Sequence, residues 1–217
     1  GVAVPVRVAV SLERIRDEKL DCNISIKPTL VGLKISEEYC AANIEMVVAR
    51  AVELGNFVRI DMEDHSTTDA TLRMYRQVAG KLGHVGTVLQ AYLHRTPADI
   101  GALLPLGPNI RLCKGIYREP RAIAWKEFGT VRANFVYCLE KLLGGGAYVG
   151  IATHDPYLVW AGMATVDRLG LSPDRYEFQM LLGVDPELRR IILDNGHRLR
   201  VYVPYGRDWY PYSIRRL

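Results

Sequence analysis

Two adjacent arginines near the end of the chain, Arg215 and Arg216, are the side chains best suited to bind a small anion. Pro211 is typical of the first turn of a helix, which would place Tyr212 on the same helix face as the arginines. Neighbouring guanidinium groups repel each other unless an anion lies between them, and their planar shape favours bidentate binding of a carboxylate. The tail therefore predicts a pocket for a small carboxylic acid. The alternative interpretation is a solvated basic helix end.

A second group of candidate residues occurs in the sequence RLCKGIY. Arg111 and Lys114 place two cations where a predicted strand gives way to a loop, and Gly115 allows a ligand or another backbone segment to come close. Two cations at a strand end suit a negatively charged or electron-accepting cofactor. The alternative is that they form ion pairs with Asp61 or with the acidic residues at 63 and 64.

Carboxylate and histidine side chains also follow two predicted strands, as Asp61 in RIDMEDH and as His154 and Asp155 in ATHD. Such donors could bind a metal ion in a hydrolase. The HxH pair that usually begins metal-dependent barrels is absent from the sequence, and the cations at the other strand ends would crowd a metal. We therefore expect no metal, and a metal-dependent hydrolase that uses these three residues remains an alternative function.

Two single polar residues lie in otherwise apolar strands. Lys27 ends the run NISIK, where a lysine could form a Schiff base, bind a phosphate or pair with a carboxylate. Gln90 lies inside the run TVLQAYL, so its amide must find a partner, and polar atoms of a ligand ring would serve. Spacing alone does not choose between these roles.

The elements that must position these residues alternate between short β-prone runs and longer amphipathic stretches. This alternation calls for parallel strands joined by crossover helices. The first predicted helix is capped by Ser36 and ends at Gly55. The other helices are predicted at residues 67–82, 96–104, 120–143, 156–169 and 185–195. Strands are predicted at residues 23–27, 57–62, 87–93, 109–113, 147–153, 175–180 and 199–203.

The distribution of polar groups favours a closed (βα)8 barrel of the TIM type over an open doubly wound sheet. A doubly wound nucleotide binder would concentrate such groups at one switch point, usually with a glycine-rich first turn, and neither GxGxxG nor GxxxxGK[ST] occurs. Here nearly every predicted strand ends in a charged or hydrogen-bonding residue, as expected where strand ends converge on one face of a barrel. These residues are Lys27, Asp61, Gln90, Arg111, Lys114, Thr153, His154, Asp155, Gln179 and Tyr202.

The count of predicted strands is seven rather than eight. Residues 1–20 either contain a first strand at 2–10 or form an outer helix at 7–20, in which case the first strand is missing. The spacing of Val8, Leu12, Ile15 and Leu20 favours the helix.

Composition narrows the classes of protein. The 217 residues, 49% of them hydrophobic, predict one domain over 1–217. This is short for a barrel of about 250 residues, so we expect truncation at the N-terminus and within the last helix.

The net charge of +4 suits an acidic substrate or cofactor and is too small to indicate nucleic acid. No apolar stretch reaches the roughly 20 residues of a membrane span. The four cysteines show no CxxC pair and are typical of reduced thiols in an intracellular protein.

Taken together, seven stretches of the chain resemble the proline dehydrogenase family, in both its monofunctional bacterial form and its bifunctional PutA form. Each motif alone is modest, whereas seven in order are highly specific. The resemblance implies a distorted (βα)8 barrel that binds FAD and oxidises L-proline to Δ1-pyrroline-5-carboxylate, with a quinone as the usual electron acceptor. The stretches cover roughly residues 22–217 and read NISIKPTLVGL, FVRIDMED, TVLQAYLHRT, RLCKGIYREP, ATHD, RYEFQMLLGV and RVYVPYG followed by WYPYSIRRL.

The resemblance also implies roles for individual residues. The arginines that bind the substrate carboxylate correspond to Arg215 and Arg216, and the lysine of the proline site to Lys27. The catalytic aspartate corresponds to Asp61, and Arg111 would stabilise the charge that develops on the reduced flavin. The residues expected to wall the proline ring are Leu181, Tyr202 and Tyr212. Those expected to contact the flavin are Met62, Gln90, Arg111, Lys114, Gly115, Ile116, Thr153 and His154.

A quinone acceptor would imply transient contact with a membrane surface, so we expect a cytoplasmic protein that visits the periphery of the inner membrane. A third class of function remains open. The family commonly has alanine at the position of Ile116, and this larger residue together with the missing strand would suit a relative that binds without catalysing.

Overall fold

A computed structural model of the chain describes residues 3–204, with side chains from Pro5 onward. These residues form one parallel sheet in which strands that are neighbours in sequence are also neighbours in space. The seven strands and their order confirm the predicted barrel-type architecture. They are β1 (Ile24–Ile26), β2 (Val58–Ile60), β3 (Val85–Gln90), β4 (Asn109–Cys113), β5 (Tyr148–Ala152), β6 (Tyr176–Leu181) and β7 (Leu199–Tyr202).

In the described residues, one α-helix precedes the first strand and one lies in each of the six connections between strands. Of the two alternatives for residues 1–20, the strand at residues 2–10 is wrong, because this region belongs to a helix from Ala3 onward. The alternative of an outer helix is confirmed: Leu12 is fully buried, and the helix packs against the next one along the chain. The helices are α1 (Ala3–Asp17), α2 (Glu37–Glu53), α3 (His65–Leu82), α4 (Thr96–Leu103), α5 (Phe128–Gly144), α6 (Pro156–Arg168) and α7 (Pro186–Asp194).

Polar residues in the loops that follow the strands cap several of the helices. The Ser36 hydroxyl accepts a hydrogen bond from the Tyr39 backbone N–H at 3.1 Å, as predicted for α2. Asp64 caps α3 and Asp155 caps α6 in the same manner. Asp64 and Asp155, in the short loops after β2 and β5, are thereby held at the carboxyl edge of the sheet.

The segment before α5 differs from the prediction, which placed a helix from residue 120. Here the chain pairs instead with the loop after β3: the Trp125 N–H donates to the Tyr92 carbonyl at 2.8 Å, and the His94 N–H donates to the Ile123 carbonyl at 2.9 Å. Tyr92 itself lies in a turn of the backbone. Because of this turn, β3 ends at Gln90 rather than at residue 93. Both differences have one cause, a long-range contact between two loops.

The sheet is curled, with its concave side lined by polar side chains. Within residues 3–204, β1 pairs with β2 alone and β7 with β6 alone, so the described sheet is open between β1 and β7. Arg200 of β7 bridges this opening, with Nη1 3.6 Å from a carboxylate oxygen of Asp21.

The apolar core lies on the convex side, between the sheet and the helices, and includes Tyr75, Phe135 and Phe178. In the described part of the chain, none of the helices has the length and apolar character needed to cross a bilayer.

Candidate active site

Arg111 of β4 is the centre of the polar concave side. Its Nη1 donates to Asp61 Oδ1 at 2.8 Å, its Nη2 to Ser25 Oγ at 3.1 Å, and its Nε to Gln179 Oε1 at 2.6 Å. Its guanidinium carbon also lies 5.5 Å from the ring centroid of Tyr202. These partners come from β1, β6, β7 and the residue after β2. One side chain therefore contacts both ends of the curled sheet.

Asp61 is the buried carboxylate of this group. It follows β2 directly, and its backbone N–H donates to the Ile26 carbonyl at 2.8 Å, which fixes it beside the end of β1. Burial raises the pKa of Asp61, while the nearby cations Arg111, Lys27 and Arg59 act in the opposite direction. Lys27, Asp61, Arg111 and Tyr202, which were predicted separately from four strand ends, are thus brought to one place.

Sequence reasoning missed Arg59, which lies beneath Arg111 with only 1% of its surface exposed. Its guanidinium donates to the Thr87 carbonyl at 3.1 Å and to Asn109 Oδ1 at 2.7 Å. Burial and the neighbouring Arg111 lower the pKa of Arg59 to about 9, so the group remains a cation at neutral pH. Its position two residues before Asp61 was the available signal, because alternate residues of a strand face the same side.

Lys114 lies at the end of β4 and pairs with Asp155, which follows β5. The Nζ–Oδ2 distance is 3.2 Å, and Arg132 of α5 donates two further hydrogen bonds to the same carboxylate at 2.8 and 2.5 Å. Burial alone would raise the pKa of Asp155, but these hydrogen bonds outweigh it and the pKa is lowered. The ion-pair alternative for the two predicted cations therefore holds for Arg111 with Asp61, whereas Lys114 has a different partner from those proposed.

Thr153 and His154 directly follow β5 and precede Asp155. The Leu181 backbone N–H donates to His154 Nε2 at 2.8 Å, so this nitrogen is the unprotonated one of a neutral ring. Burial lowers the pKa of His154, which favours the same neutral form. Thr153 Oγ1 accepts from the Asp155 N–H at 3.1 Å. Leu181 and His154, predicted to contact substrate and flavin respectively, are therefore in direct contact with each other.

The remaining predicted flavin contacts differ in their surroundings. The Gln90 amide donates to the Glu63 carbonyl at 3.0 Å, so its required partner is the backbone. Gly115 has φ +114°, and a Cβ there would overlap the ring of Tyr92, so this glycine is needed by a neighbouring side chain. Met62 is buried in the core, whereas Ile116 is 65% exposed and does not fill the concave side.

A cleft of about 530 Å³ opens beside Lys114, Gly115 and Ile116. Its walls combine cations with aromatic rings, and this is the chemistry that binds flat, negatively charged molecules. The volume lies within the range of small-molecule and cofactor sites, about 300–1,000 Å³. The cations are Lys114, Arg118 and Lys126, and the rings are those of Tyr92, Tyr117, Trp125 and Phe128.

The three residues of the metal alternative are each engaged by other groups. Asp61 pairs with Arg111, Asp155 pairs with two cations, and His154 Nε2 accepts from a backbone N–H. Over the described range 3–204, no cluster of three His, Cys, Asp or Glu side chains could hold a metal ion. The predicted carboxylate-binding residues Arg215 and Arg216, together with Tyr212, lie outside the described residues.

Comparison with known proteins gives consistent matches. Residues 6–217 match the family model described as proline dehydrogenase. The proline dehydrogenase of Deinococcus radiodurans is 40% identical over 199 residues, which cover 89% of this chain and 64% of the relative. Proline dehydrogenase 1 of Bacillus subtilis (strain 168) is 36% identical over 207 residues, which cover 95% of this chain and 68% of the relative. The chain thus spans about two thirds of the length of these relatives.

Solved structures show the same fold. Proline utilization A (PutA) from Bdellovibrio bacteriovorus superposes with a TM-score of 0.88 at 22% identity, covering 98% of this chain and 27% of that chain. A PutA structure with proline bound in remote sites superposes with a TM-score of 0.83, also at 22% identity, covering 96% of this chain and 25% of that chain. At this level of identity the likeness concerns the fold of the chain.

Proposed function

This chain belongs to the proline dehydrogenase family, and from that premise we propose that it oxidises L-proline to Δ1-pyrroline-5-carboxylate with FAD as its cofactor. The observation that carries the proposal is the convergence of Lys27, Asp61, Arg111 and Tyr202 on one side of the sheet. These residues lie at or near four different strand ends, where barrel enzymes assemble their active sites.

The residues around the cleft fit FAD, which carries two negatively charged phosphates and two flat ring systems. Lys114, Arg118 and Lys126 provide positive charge, and the neighbouring aromatic rings provide flat surfaces. We propose that Met62, Gln90, Arg111, Lys114, Gly115, Ile116, Thr153 and His154 hold the flavin. When bound, the flavin supplies the acceptor for the hydride that leaves proline, which no side chain can supply.

Arg111 is proposed to stabilise negative charge that develops during the reaction. A fixed cation does this best when it needs no rearrangement, and Arg111 is already held by the hydrogen bonds that it donates to Asp61, Ser25 and Gln179. Asp61 partly balances its charge and keeps it on the concave side. Both residues are therefore proposed as catalytic.

The substrate is proposed to lie among the ends of β1, β6 and β7. Lys27 directly follows β1, Leu181 ends β6 and Tyr202 ends β7. The Leu182 N–H donates to the Tyr202 carbonyl at 3.0 Å, which joins the ends of β6 and β7. Leu181 and Tyr202, together with Tyr212, would wall the proline ring, and Lys27 would lie in the same site. Arg215 and Arg216 would bind the carboxylate and thereby orient the ring.

The electron acceptor beyond the flavin is proposed from the family resemblance. A quinone in this role would bring a cytoplasmic protein into transient contact with a membrane surface.

The proposal is tested by a visible spectrum of the purified chain, supplied with FAD, before and after anaerobic addition of L-proline. We expect a flavin absorption band that bleaches with proline, and no bleaching in the Arg111→Met variant. A band that persists in the wild type would indicate a protein that binds FAD without oxidising proline. A colourless protein that takes up a metal ion but no FAD would favour the hydrolase alternative.

A further inference from the structure

We propose that Gln179 and Glu177 of β6 fix the orientation of the Arg111 guanidinium, and that Gly150 of β5 makes room for this contact. The proposal rests on the function proposed for Arg111 and extends it to three residues that act through that side chain. They are positioning residues, since each one contacts Arg111 or a group bound to it rather than the reacting atoms.

Gln179 lies in a row of hydrogen bonds that allows its amide group only one orientation. Arg111 Nε donates to Gln179 Oε1 at 2.6 Å, and Gln179 Nε2 donates to Glu177 Oε1 at 2.6 Å. A guanidinium can only donate and a carboxylate can only accept, so a flipped amide would oppose two donors at one end and two acceptors at the other. Glu177 therefore determines which end of the amide faces Arg111.

Glu177 is itself held in place. It is 3% exposed, and its two oxygens accept from Arg200 Nε at 3.0 and 2.9 Å. The guanidinium of Arg200 carries a permanent positive charge beside this carboxylate. The row of hydrogen bonds from Arg111 through Gln179 to Glu177 is therefore anchored on β7 by Arg200.

Gly150 lies where the chain of contacts crosses from β6 to β4. In the sheet, Arg111 pairs with Gly150, and Gly150 pairs with Glu177, so the three form one row across β4, β5 and β6. A Cβ at Gly150 would lie 2.5 Å from Gln179 Nε2 and 2.7 Å from its Cδ. A glycine inside a strand often marks such a close approach. Any larger residue would displace the amide from Arg111.

Three hydrogen bonds hold the plane of the guanidinium: Nη1 donates to Asp61, Nη2 to Ser25 and Nε to Gln179. Gln179 is the partner that restrains the Nε end of the group. Without Gln179, Asp61 and Ser25 would still anchor the two terminal nitrogens, but the planar group could tilt about the line that joins them. We therefore expect loss of orientation rather than loss of binding.

The test uses the FAD-loaded protein and the variants Gln179→Met, Glu177→Gln and Gly150→Ala. The limiting rate of flavin reduction by L-proline, measured anaerobically by stopped flow, should fall about tenfold or more, which corresponds to about 1.4 kcal/mol. FAD content and the apparent Kd for proline should change little. The double variant Glu177→Gln/Gln179→Met should be no slower than Gln179→Met, because Glu177 acts through Gln179. Glu140→Gln, which removes a surface pair with Arg168, is the matched control and should be unchanged.

A second measurement does not depend on catalysis. The 15N NMR signal of the Arg111 Nε–H, identified by its loss in Arg111→Lys, should shift and broaden in all three variants. If the wild-type flavin is not reduced by proline, the proposed function fails, and this signal still decides the positioning role. An unchanged signal in folded Glu177→Gln and Gly150→Ala proteins overturns the inference. Rates that fall only in proportion to lost FAD overturn it as well, since they indicate a purely structural role.

Discussion

Asp61 accepts a hydrogen bond from Arg111 at 2.8 Å across the concave side of the sheet, although β3 separates their two strands. Both side chains are nearly buried, with 12% and 14% of their surfaces exposed. Burial raises the pKa of Asp61, and Arg111 is the strongest of the cations that oppose this rise. The charge of Asp61 therefore depends on its partner.

The first prediction follows from that dependence. A folded pKa above the unfolded value means that stability falls as the pH rises from the unfolded pKa, about 3.9, through the folded pKa. Arg111→Met should raise the folded pKa of Asp61 further, so the variant's loss of unfolding free energy should be larger at about pH 7.5 than at about pH 5. The extra loss should be up to about 1.4 kcal/mol for each unit by which the pKa rises.

Urea unfolding at the two pH values measures this effect. The control is the same Arg111→Met substitution made in the Asp61→Asn background. Neither Asp61→Asn nor Asp61→Asn/Arg111→Met has a carboxyl at position 61, so the loss between these two variants should be the same at both pH values. An equal loss at both pH values in Arg111→Met itself would mean that Arg111 does not govern the charge of Asp61.

A second prediction concerns Asp155, whose pKa is lowered because hydrogen bonds from Arg132 and Lys114 outweigh burial. A lowered pKa gives stability that is present above the unfolded value, about 3.9, and is lost as the pH falls through the folded pKa. Asp155→Asn should cost about 1–3 kcal/mol of unfolding free energy at neutral pH. This cost should shrink in acid, where the wild type has lost the same interaction.

The measurement is again urea unfolding, as a function of pH. Asp69→Asn is a matched control, since Asp69 forms a surface pair with Arg95 at 2.7 Å and such pairs contribute little. If Asp155→Asn has the same cost at low and neutral pH, the ion pairs do not provide the stability assigned to them.

Local signals in the sequence predicted the order and type of the elements. The strand at residues 109–113 was placed with its observed bounds, and the Ser36 cap began α2 as expected. Two differences, the late start of α5 and the early end of β3, both come from pairing between the segment at Ile123–Trp125 and the turn at Tyr92. No local pattern carries that information, because the contact joins residues about thirty positions apart.

Site residues could be predicted from the sequence where a charged side chain stands at the end of a predicted strand. Lys27, Asp61 and Arg111 were identified because each ends or follows an apolar run, and the curl of the sheet brings them together. Gln179 was identified only as a polar strand end. Gln179 lies two strands away from Arg111, and its role depends on the absence of a side chain at Gly150 on the strand between them. This becomes visible only once the register of β4, β5 and β6 is known.

A third prediction concerns Gly115, where φ is +114° and a Cβ would overlap the Tyr92 ring. Gly115→Ala should be strongly destabilising, because it combines backbone strain of about 1–2 kcal/mol with overpacking of about 1–3 kcal/mol. Gly170→Ala separates the two terms, since Gly170 has φ +61° and open space around it. Urea unfolding of both variants should show a clearly larger loss for Gly115→Ala. Equal losses would show that Tyr92 moves aside without cost.

The last prediction concerns Arg215 and Arg216, whose assignment rests on the sequence. If they bind the proline carboxylate, Arg215→Met and Arg216→Met should each raise the apparent KM for L-proline about 10- to 100-fold, as expected for a lost hydrogen bond to a charged group. Replacement by lysine should have a smaller effect, because the charge is kept and the bidentate geometry is lost. The visible spectrum of the bound flavin should be unchanged, since the proposed flavin contacts lie on other elements.

Steady-state kinetics of the variants measure this directly, and the chain offers its own control. Arg190 of α7 also belongs to an adjacent arginine pair and is exposed, so Arg190→Met should leave KM unchanged. Inhibition by cyclopentanecarboxylate, which keeps the ring and the carboxylate but lacks the amine, should weaken in parallel with proline binding. If KM and this inhibition are both unaffected in Arg215→Met and Arg216→Met, the carboxylate binds elsewhere. The proposed substrate orientation would then have to be abandoned, because another cation of the described site, such as Lys27 or Arg111, would have to bind the carboxylate.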